Sequence, residues 1–382
     1  MTTFEKDNNY IMNTYGRFNV SFCKGKGTKL WDENGKEYLD FGSGIGVTCL
    51  GHCDEGWVNA VSKQASQMGH ISNLYYNPVM AELAQKLTQL TSMSRVFFCN
   101  SGAEANEGAI KLARKYGAQT GRTTIITLKN SFHGRTIATL TATGQDTFHK
   151  NFGPFPEGFL YAQANMESLK SVYNDSVCAV MVECIQGEGG VLPLEEGFAK
   201  ELESFCKEKN ILIIADEVQT GVMRTGSFLC SEQYGFNPSI VTMAKGLGGG
   251  LPFGAFLCNE ELKDIMCKGD HGSTFGANTI CCAGALEVIS RVTAEDFGEA
   301  VKQKGNYIMT KLKEIENVGD IRGKGLMIGF DVKKGDSKEI VAKMIDKGLL
   351  CLTAKSAIRL LPALTVSYEE IDTALEIIKS TL

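Results

Sequence analysis

Short apolar runs dominate the chain between residues 95 and 245. They are rich in β-branched residues and have the length of buried strands, and helical stretches lie between several of them. This succession predicts an α/β fold with a mostly parallel central sheet and helices on both faces. The five runs are RVFFC at 95–99, TTIITL at 123–128, VCAVMVE at 177–183, ILIIADEV at 211–218 and IVTMAK at 240–245.

The chain length predicts more than one domain, because 382 residues exceed what one ordinary core holds. Residues 1–45 contain an Asn34-Gly35 hairpin signal and are expected to pack with the small domain. We predict a large domain over 46–275 and a small α+β domain over 276–382. Within the small domain, helices are expected from about 279 to 315 and over 368–382.

Composition argues against several classes of function. The net charge of -5 and the pI near 5.7 give no electrostatic reason to bind nucleic acid or an anionic membrane. No apolar run approaches a membrane span, and the first residues lack a signal-peptide pattern, so a cytoplasmic location is expected. The thirteen cysteines form no CxxC pair and the histidines no cluster, so neither a disulfide framework nor a metal site is predicted.

Two of the predicted strands lead to ionisable residues. The run 211–218 delivers Asp216, and the run 240–245 ends on Lys245 before a glycine-rich stretch. In an open α/β sheet, ligands bind at the carboxyl ends of the strands. An acid and a lysine in one pocket are therefore the starting hypothesis for an active site.

A helix start follows the first strand. Ser101 and Glu104 have the spacing of a capping box, and Gly102 leaves the backbone N–H groups of the first turn accessible. These groups and the positive end of the helix dipole suit a phosphate. An ordinary capped helix is the simpler interpretation of this segment taken alone.

Aromatic and charged residues follow the other strands. Phe132 and Arg135 would suit a flat ring beside a carboxylate, although a packed phenylalanine and a solvated arginine are the better explanation of this segment taken alone. Glu183 and Glu188 could be a general acid and base, or one could neutralise an arginine. Arg359 lies within an apolar run and either faces solvent or holds an anion.

Hydroxyl groups in the segment HGSTFG are further candidates. Ser273 and Thr274 could donate to a phosphate, or the segment could be a polar loop between domains. A lysine, an acid, an aromatic ring and a helix start for phosphate are together what pyridoxal phosphate requires.

With these residues in place, the chain resembles the class III, ω-type aminotransferases of the fold-type I pyridoxal phosphate enzymes. The resemblance extends from about residue 30 to 365, which is nearly the whole chain. The matching motifs are SNLYYNP, NSGAEANEGAIKLAR, FHGRT, IQGEGG, ADEVQTG, AKGLGGGLP, HGSTFG and IRGKGLMIG.

The resemblance implies how pyridoxal 5'-phosphate would be held. Lys245 would bind it as an imine and later move a proton, and Asp216 would keep the pyridine nitrogen protonated. Phe132 and Val218 would enclose the ring, with Gln219 near its phenolic oxygen. The phosphate would be bound by Ser101, Gly102 and Ala103, joined by Thr274 of the partner subunit in a homodimer whose active sites lie at the interface.

The resemblance also implies how substrates would be bound. Arg135 would hold the carboxylate far from the reacting carbon, and Arg359 would hold the α-carboxylate of glutamate. Glu188 would pair with Arg359 while an ω-amine substrate is bound and release it for glutamate. Ser273 is assigned to the substrate side of the site.

The implied activity moves the δ-amino group of N2-acetylornithine to 2-oxoglutarate, giving N-acetylglutamate 5-semialdehyde and glutamate in arginine biosynthesis. Rival amino donors are succinylornithine, succinyldiaminopimelate, ornithine and 4-aminobutyrate. An amino-group mutase or racemase on the same fold is a less favoured alternative. A binding protein without activity is disfavoured because Lys245 and Asp216 are both present, and a dinucleotide enzyme because no GxGxxG follows a strand and opens a helix.

Overall fold

The computed structural model describes residues 1–382, and its strands form four sheets. The largest sheet has seven strands, two have four strands each, and the last is a two-stranded ribbon. The strands are β1 Phe22–Lys26, β2 Lys29–Asp32, β3 Glu37–Asp40, β4 Arg95–Cys99, β5 Thr124–Leu128, β6 Phe159–Ala162, β7 Val177–Val182, β8 Ile185–Gln186, β9 Leu192–Pro193, β10 Leu212–Asp216, β11 Ile240–Met243, β12 Gly254–Cys258, β13 Val318–Lys324, β14 Met327–Val332, β15 Leu349–Leu350, β16 Leu352–Ala354 and β17 Ala357–Leu360.

Thirteen α-helices accompany the sheets, a further short turn at Ser43–Gly46 has non-helical backbone angles at Gly44 and Ile45, and a 3-10 helix spans Lys245–Gly248. Most of the longer helices begin at a side chain that accepts a backbone N–H, which satisfies one free donor of the first turn. The helices are α1 Thr3–Tyr10, α2 Glu55–Gln67, α3 Pro78–Thr91, α4 Gly102–Ala118, α5 Ile137–Ala142, α6 Asp146–His149, α7 Met166–Val172, α8 Glu196–Lys209, α9 Ser231–Tyr234, α10 Thr279–Val292, α11 Phe297–Leu312, α12 Ser337–Asp346 and α13 Tyr368–Thr381.

The seven-stranded sheet confirms the predicted mostly parallel architecture. Its order is β4-β12-β11-β10-β7-β5-β6, and only β12 runs antiparallel to its neighbours. All five predicted strands are present, whereas β6 and β12 were not predicted. Strand β12 follows a glycine-rich segment, which obscures where the strand begins.

Both faces of this sheet are buried. Along β10, Leu212 and Ile214 belong to one apolar cluster, while Ile213 and Ala215 belong to another. Residues of α4 complete the first cluster and residues of α8 the second. Side chains alternate across a strand, so a strand covered on both faces must be apolar throughout, which explains the continuous run in the sequence.

The parallel strands β10 and β11 bring their carboxyl ends to the same edge. Asp216 lies opposite Thr242 in this pair, so the residues after both strands emerge side by side. Lys245 differs slightly from the prediction, because the strand ends at Met243 and the lysine begins the 3-10 helix. The lysine is delivered by a turn at the edge of the sheet.

The N-terminal and C-terminal parts of the chain share one of the four-stranded sheets. The predicted Asn34-Gly35 hairpin joins β2 to β3, and β3 pairs in parallel with β15 of the C-terminal part. The helical stretch predicted from 279 to 315 is two helices, separated near Asp296, whose φ of 61° interrupts the helical path. The predicted domain boundaries at 45/46 and 275/276 stay predictions.

None of the helices combines the length and the apolar composition that crossing a membrane requires.

Candidate active site

A cavity of about 500 Å³ opens at the carboxyl edge of the seven-stranded sheet. Strands β4, β5, β7, β10 and β11 each contribute residues from the segment that follows them. Ten residues predicted to form the site line this cavity, namely Ser101, Gly102, Ala103, Phe132, Arg135, Glu188, Asp216, Val218, Gln219 and Lys245.

Three short hydrogen bonds fix the carboxylate of Asp216 at the edge of the sheet, and the hydroxyl of Thr242 adds a longer one to Oδ1 at 3.5 Å. Nδ1 of His133 lies 2.7 Å from its Oδ2, and Nδ2 of Asn106 donates to the same oxygen at 2.8 Å. The backbone N–H of Val218 donates to Oδ1 at 3.0 Å. These hydrogen bonds fix the orientation of the carboxylate before any ligand binds. A group that must face one particular atom of a ligand requires such a fixed orientation.

His133 and Asn106 were not predicted as site residues. Burial would lower the pKa of His133, but hydrogen bonding to Asp216 and its charge outweigh this effect, so the pKa is raised. Asn106 is buried on the core face of α4, where a polar side chain is unusual. That placement within an apolar helix face was the signal in the sequence that could have identified it.

Lys245 has the properties of an amine nucleophile. Its pKa is lowered to about 8, first by burial and also by the charge of Arg359, while Glu188, Asp216 and Glu183 act against the shift. At pH 7 an amine with this pKa is unprotonated in roughly one molecule in ten, far more than for an ordinary lysine. The residue also has a φ of 44°, a conformation that is uncommon for a side-chain-bearing residue and is found at functional sites.

The start of α4 forms a cradle of backbone N–H groups. Ser101 is the N-cap, and its hydroxyl accepts the N–H of Glu104 at 3.1 Å. A Cβ atom built on Gly102 would lie 2.7 Å from Cγ1 of Val218, so only glycine fits at this position. The N–H groups of the first turn and the helix dipole make this a suitable place for a phosphate.

Glu183 positions the aromatic wall of the cavity. One of its carboxylate oxygens accepts the backbone N–H of Phe132 at 2.8 Å. Its pKa is raised to about 8, chiefly by burial, with His133 acting against the shift. Glu183 therefore holds the backbone of Phe132, while Glu188 is paired with Arg359, so the structure favours the interpretation in which one acid neutralises an arginine over a general acid and base pair.

Glu188 and Arg359 form an ion pair beside the cavity. Nη1 of Arg359 donates to Oε1 of Glu188 at 2.6 Å and to Oε1 of Gln219 at 3.2 Å. The arginine is 2% exposed, and its Nε has no hydrogen-bond partner. Burial would raise the pKa of Glu188, but the charge and hydrogen bond of Arg359 outweigh it, so the pKa is lowered.

Arg135 lies at the mouth of the cavity, whereas Ser273 and Thr274 lie outside it. Arg135 is exposed and its guanidinium lies 4.1 Å from the ring centre of Phe148. Ser273 does not line the cavity; its hydroxyl accepts a hydrogen bond from Asn100, which does. Thr274 is exposed and lies outside the cavity of its own chain.

These residues fit a flat, phosphorylated aldehyde with a ring nitrogen. Lys245 offers an amine for the aldehyde, and the fixed carboxylate of Asp216 suits a protonated ring nitrogen. The glycine cradle at the start of α4 suits the phosphate, and Phe132 with Val218 suits the two faces of the ring.

Comparisons with known proteins agree with this geometry. The family model described as Aminotransferase class-III matches residues 10–382. The acetylornithine aminotransferase of Caldanaerobacter subterraneus subsp. tengcongensis is 47% identical over 391 aligned positions, which cover 100% of this chain and 99% of that protein. The acetylornithine aminotransferase of Bacillus cereus is also 47% identical, covering 98% of this chain and 97% of that protein.

Solved structures are similar over the same range. The ornithine aminotransferase of Toxoplasma gondii, described with partial occupancy of PLP at its active site, has a TM-score of 0.94 at 31% identity, covering 99% of this chain and 93% of that chain. The N-acetylornithine aminotransferase of Stenotrophomonas maltophilia has a TM-score of 0.86 at 31% identity, covering 99% and 98% respectively.

Proposed function

The chain belongs to the class-III aminotransferases, a family that uses pyridoxal phosphate, and on this premise we propose that it transfers the δ-amino group of N2-acetylornithine to 2-oxoglutarate. The products are N-acetylglutamate 5-semialdehyde and glutamate, in arginine biosynthesis. Relatives named acetylornithine aminotransferase at 42–47% identity over nearly the whole chain support this choice of donor.

The ion pair between Glu188 and Arg359 is the observation that carries the proposal. An enzyme that acts in turn on a terminal amine and on an α-amino acid meets two different substrates at one position. The α-amino acid has a carboxylate next to the reacting carbon, and the terminal amine has none. Paired with Glu188, Arg359 presents no uncompensated charge to a terminal amine. Released from Glu188, the same arginine can bind the α-carboxylate of glutamate in bidentate fashion.

The bound cofactor would supply an electron sink next to the carbon that carries the amino group. The side chain of Lys245 would hold the cofactor covalently and, once released, take the proton from that carbon and return it in the other half-reaction. Its lowered pKa keeps a useful fraction of the amine unprotonated near neutral pH. Asp216 would hold a proton at the ring nitrogen, with His133 and Asn106 keeping its carboxylate in place.

Arg135 would bind the carboxylate at the far end of either substrate. Its guanidinium lies over Phe148 and Phe132, which hold it at the mouth of the cavity. In acetylornithine this carboxylate is the one beside the acetylated nitrogen, and in glutamate it is the side-chain carboxylate. One arginine can therefore anchor both substrates while Arg359 distinguishes them.

Replacing Glu188 is expected to shift preference toward glutamate. In Glu188→Ala or Glu188→Gln the buried Arg359 keeps an unbalanced charge, which attracts the α-carboxylate and disfavours a terminal amine. We expect the ratio of kcat/KM for glutamate over acetylornithine to rise by about tenfold or more, since an uncompensated buried charge costs several kcal/mol. Steady-state kinetics with each amino donor measures this ratio.

Asp331→Asn is a matched control for that variant. Asp331 also pairs with an arginine, Arg322, at 2.8 Å, but it lies outside the cavity. This change should leave the ratio within about twofold of the wild type, because neither member of this half-buried pair lines the cavity in which the substrates bind. An unchanged ratio in Glu188→Ala would show that the pair does not govern substrate choice.

Spectroscopy of the purified protein tests the proposed reaction. The visible band of the lysine-bound cofactor should disappear when acetylornithine is added and return with 2-oxoglutarate, with one glutamate formed for each acetylornithine consumed. Assays with succinylornithine, succinyldiaminopimelate, ornithine and 4-aminobutyrate rank the rival donors. Preference for free ornithine over its acetylated form would overturn the choice of acetylornithine, and turnover without 2-oxoglutarate would indicate a mutase or racemase.

A homodimer completes the proposal. Leu74, Tyr76 and Phe275 are 88%, 101% and 60% exposed, and large apolar side chains left open in this way are expected at an interface between subunits. Helix α1 buries no residue of its own. Thr274 of the partner subunit would then join the phosphate cradle and Ser273 would lie near the substrate. Light scattering should give a mass of twice 41.5 kDa, and a monomer would contradict this assembly.

A cytoplasmic location is part of the same proposal. All thirteen cysteines are free thiols, and ten of them are buried. Such a set persists best in a reducing compartment, where thiols stay reduced. Cell fractionation tests this location, and recovery of the protein outside the cytoplasm would contradict it.

A further inference from the structure

A second buried arginine, Arg224, has no part in the chemistry above. It lies on the loop that follows β10 and is 2% exposed. Its Nη1 donates to the carbonyl oxygens of Leu326 at 3.0 Å and Pro362 at 2.6 Å, while its buried Nη2 has no partner. Burial lowers the pKa of Arg224 to about 10, so the group is still charged at neutral pH. A buried charge without an acid is costly, and its presence requires a reason.

Arg224 and Arg359 connect the loop after β10 with the segment around β17. Each arginine belongs to one of these segments and donates to the other. Arg359 reaches from the C-terminal sheet to Gln219, at 3.2 Å. Arg224, five residues after Gln219 on the same loop, reaches back to Pro362, three residues after Arg359. The two arginines therefore form a pair of crosslinks between the loop beside Asp216 and the segment that carries Arg359.

Arg224 also holds the neighbouring strand. Its backbone oxygen accepts the N–H of Leu326, directly before β14, and β14 pairs with β17 so that Gly329 lies opposite Arg359. The packing here is tight, because Gly325 has a φ of 53° and a Cβ atom on it would lie 2.6 Å from the carbonyl carbon of Thr225. The loop can hardly shift without moving the strand that carries Arg359.

We propose that Arg224 is a positioning residue for the α-carboxylate site, keeping Arg359 in register with Gln219 when glutamate displaces Glu188. The inference rests on the proposed function. With a terminal amine bound, the Glu188 ion pair at 2.6 Å itself holds Arg359 in place. Once the α-carboxylate takes over Arg359, that link to the protein is gone, and the crosslink through Arg224 remains. We therefore expect Arg224 to matter for glutamate binding and not for acetylornithine binding.

Two substitutions test this role. Arg224→Lys keeps the charge, but its side chain ends one atom short of Nη1, the nitrogen that donates to both carbonyl oxygens, and Arg224→Met removes the charge. The apparent dissociation constant for glutamate is measured from the change in the visible band. We expect it to rise by about tenfold or more in both variants, because a small misplacement of a binding group has a large effect. The constant for acetylornithine should stay within about twofold of the wild type.

An unreactive ligand provides a measurement independent of turnover. Glutarate has both carboxylates of glutamate and no amino group, so its binding by calorimetry reports on Arg135 and Arg359 alone. Its dissociation constant should rise by the same factor of about tenfold in both variants. A general weakening of the fold would instead alter glutamate and acetylornithine by a common factor.

Gly325→Ala and Arg114→Lys complete the experiment. Gly325→Ala pushes the turn away from Thr225 and should reproduce the selective loss even if an Arg224 variant fails to fold. Arg114 also donates only to backbone carbonyl oxygens, those of Thr123, Glu157 and Gly158, but it lies outside the cavity. Arg114→Lys should leave the ratio of the two constants unchanged.

The outcomes separate this inference from the proposed function. If acetylornithine does not discharge the visible band of the wild type, the proposed function is wrong, and glutarate binding still tests Arg224. If the wild type cycles but Arg224→Lys, Arg224→Met and Gly325→Ala change both constants equally, or change neither, the inference is wrong.

Discussion

Lys245→Ala is expected to abolish transamination and the visible band of the lysine-bound cofactor. The variant has no amine at this position, so the cofactor cannot be held covalently. It also has no group to move the proton at the reacting carbon. Loss of that proton transfer alone should lower kcat by about 10²–10⁴-fold. Absorption spectra before and after addition of acetylornithine, and glutamate formation over hours, measure both effects.

Lys304→Ala is the control for this variant. Lys304 is another half-buried lysine whose pKa is lowered by burial, but it lies in α11, outside the cavity. Its replacement should leave the band and the turnover close to wild type. Cycling of the band in Lys245→Ala would assign the amine to another residue.

Asp216→Asn is expected to keep the visible band but lower kcat by at least about 10²-fold. The amide preserves the size of the side chain, and Lys245 is unchanged, so the cofactor should still bind. The amide carries no negative charge to keep the ring nitrogen protonated. Removal of one fixed electrostatic partner from an active site has effects of this magnitude. Single-turnover rates in each half-reaction measure the loss and should fall together.

A second buried pair of aspartate and histidine provides the control. Asp40 is buried, accepts two backbone N–H groups and lies 2.8 Å from His52, much as Asp216 lies 2.7 Å from His133. Asp40→Asn should lower the melting temperature, but kcat should change by no more than about threefold because this pair does not line the cavity. Rates within tenfold of wild type in Asp216→Asn would remove this residue from the chemistry.

The sequence predicted the central sheet because local patterns decide it. A run such as 212–216 must be apolar throughout when both of its faces are covered, and this requirement is visible without knowing the partner strands. The placement of Asp216 and Lys245 followed, since the carboxyl ends of parallel strands share one edge. Strand β12 was missed because it begins at Gly254, directly after a glycine-rich segment, so its apolar residues do not stand out as a separate run.

The contacts between distant side chains required the tertiary structure. The hydrogen bond from Asn106 to Asp216 spans 110 residues, and that from Arg359 to Glu188 spans 171. The resemblance to a family suggested the second contact, but nothing in the spacing of the residues did. Arg224 showed no sign of its role, because a charged residue in a loop usually lies at the surface.

The sequence by itself therefore determined the sheet, the strand ends and the helix start that could take a phosphate. Each of these depends on short-range periodicity, capping and backbone conformation, which adjacent residues express directly. Only the tertiary structure decided which polar groups share a proton or a charge, because strand order and packing set those distances. A buried carboxylate or guanidinium takes its properties from the partners that the fold places within hydrogen-bonding distance.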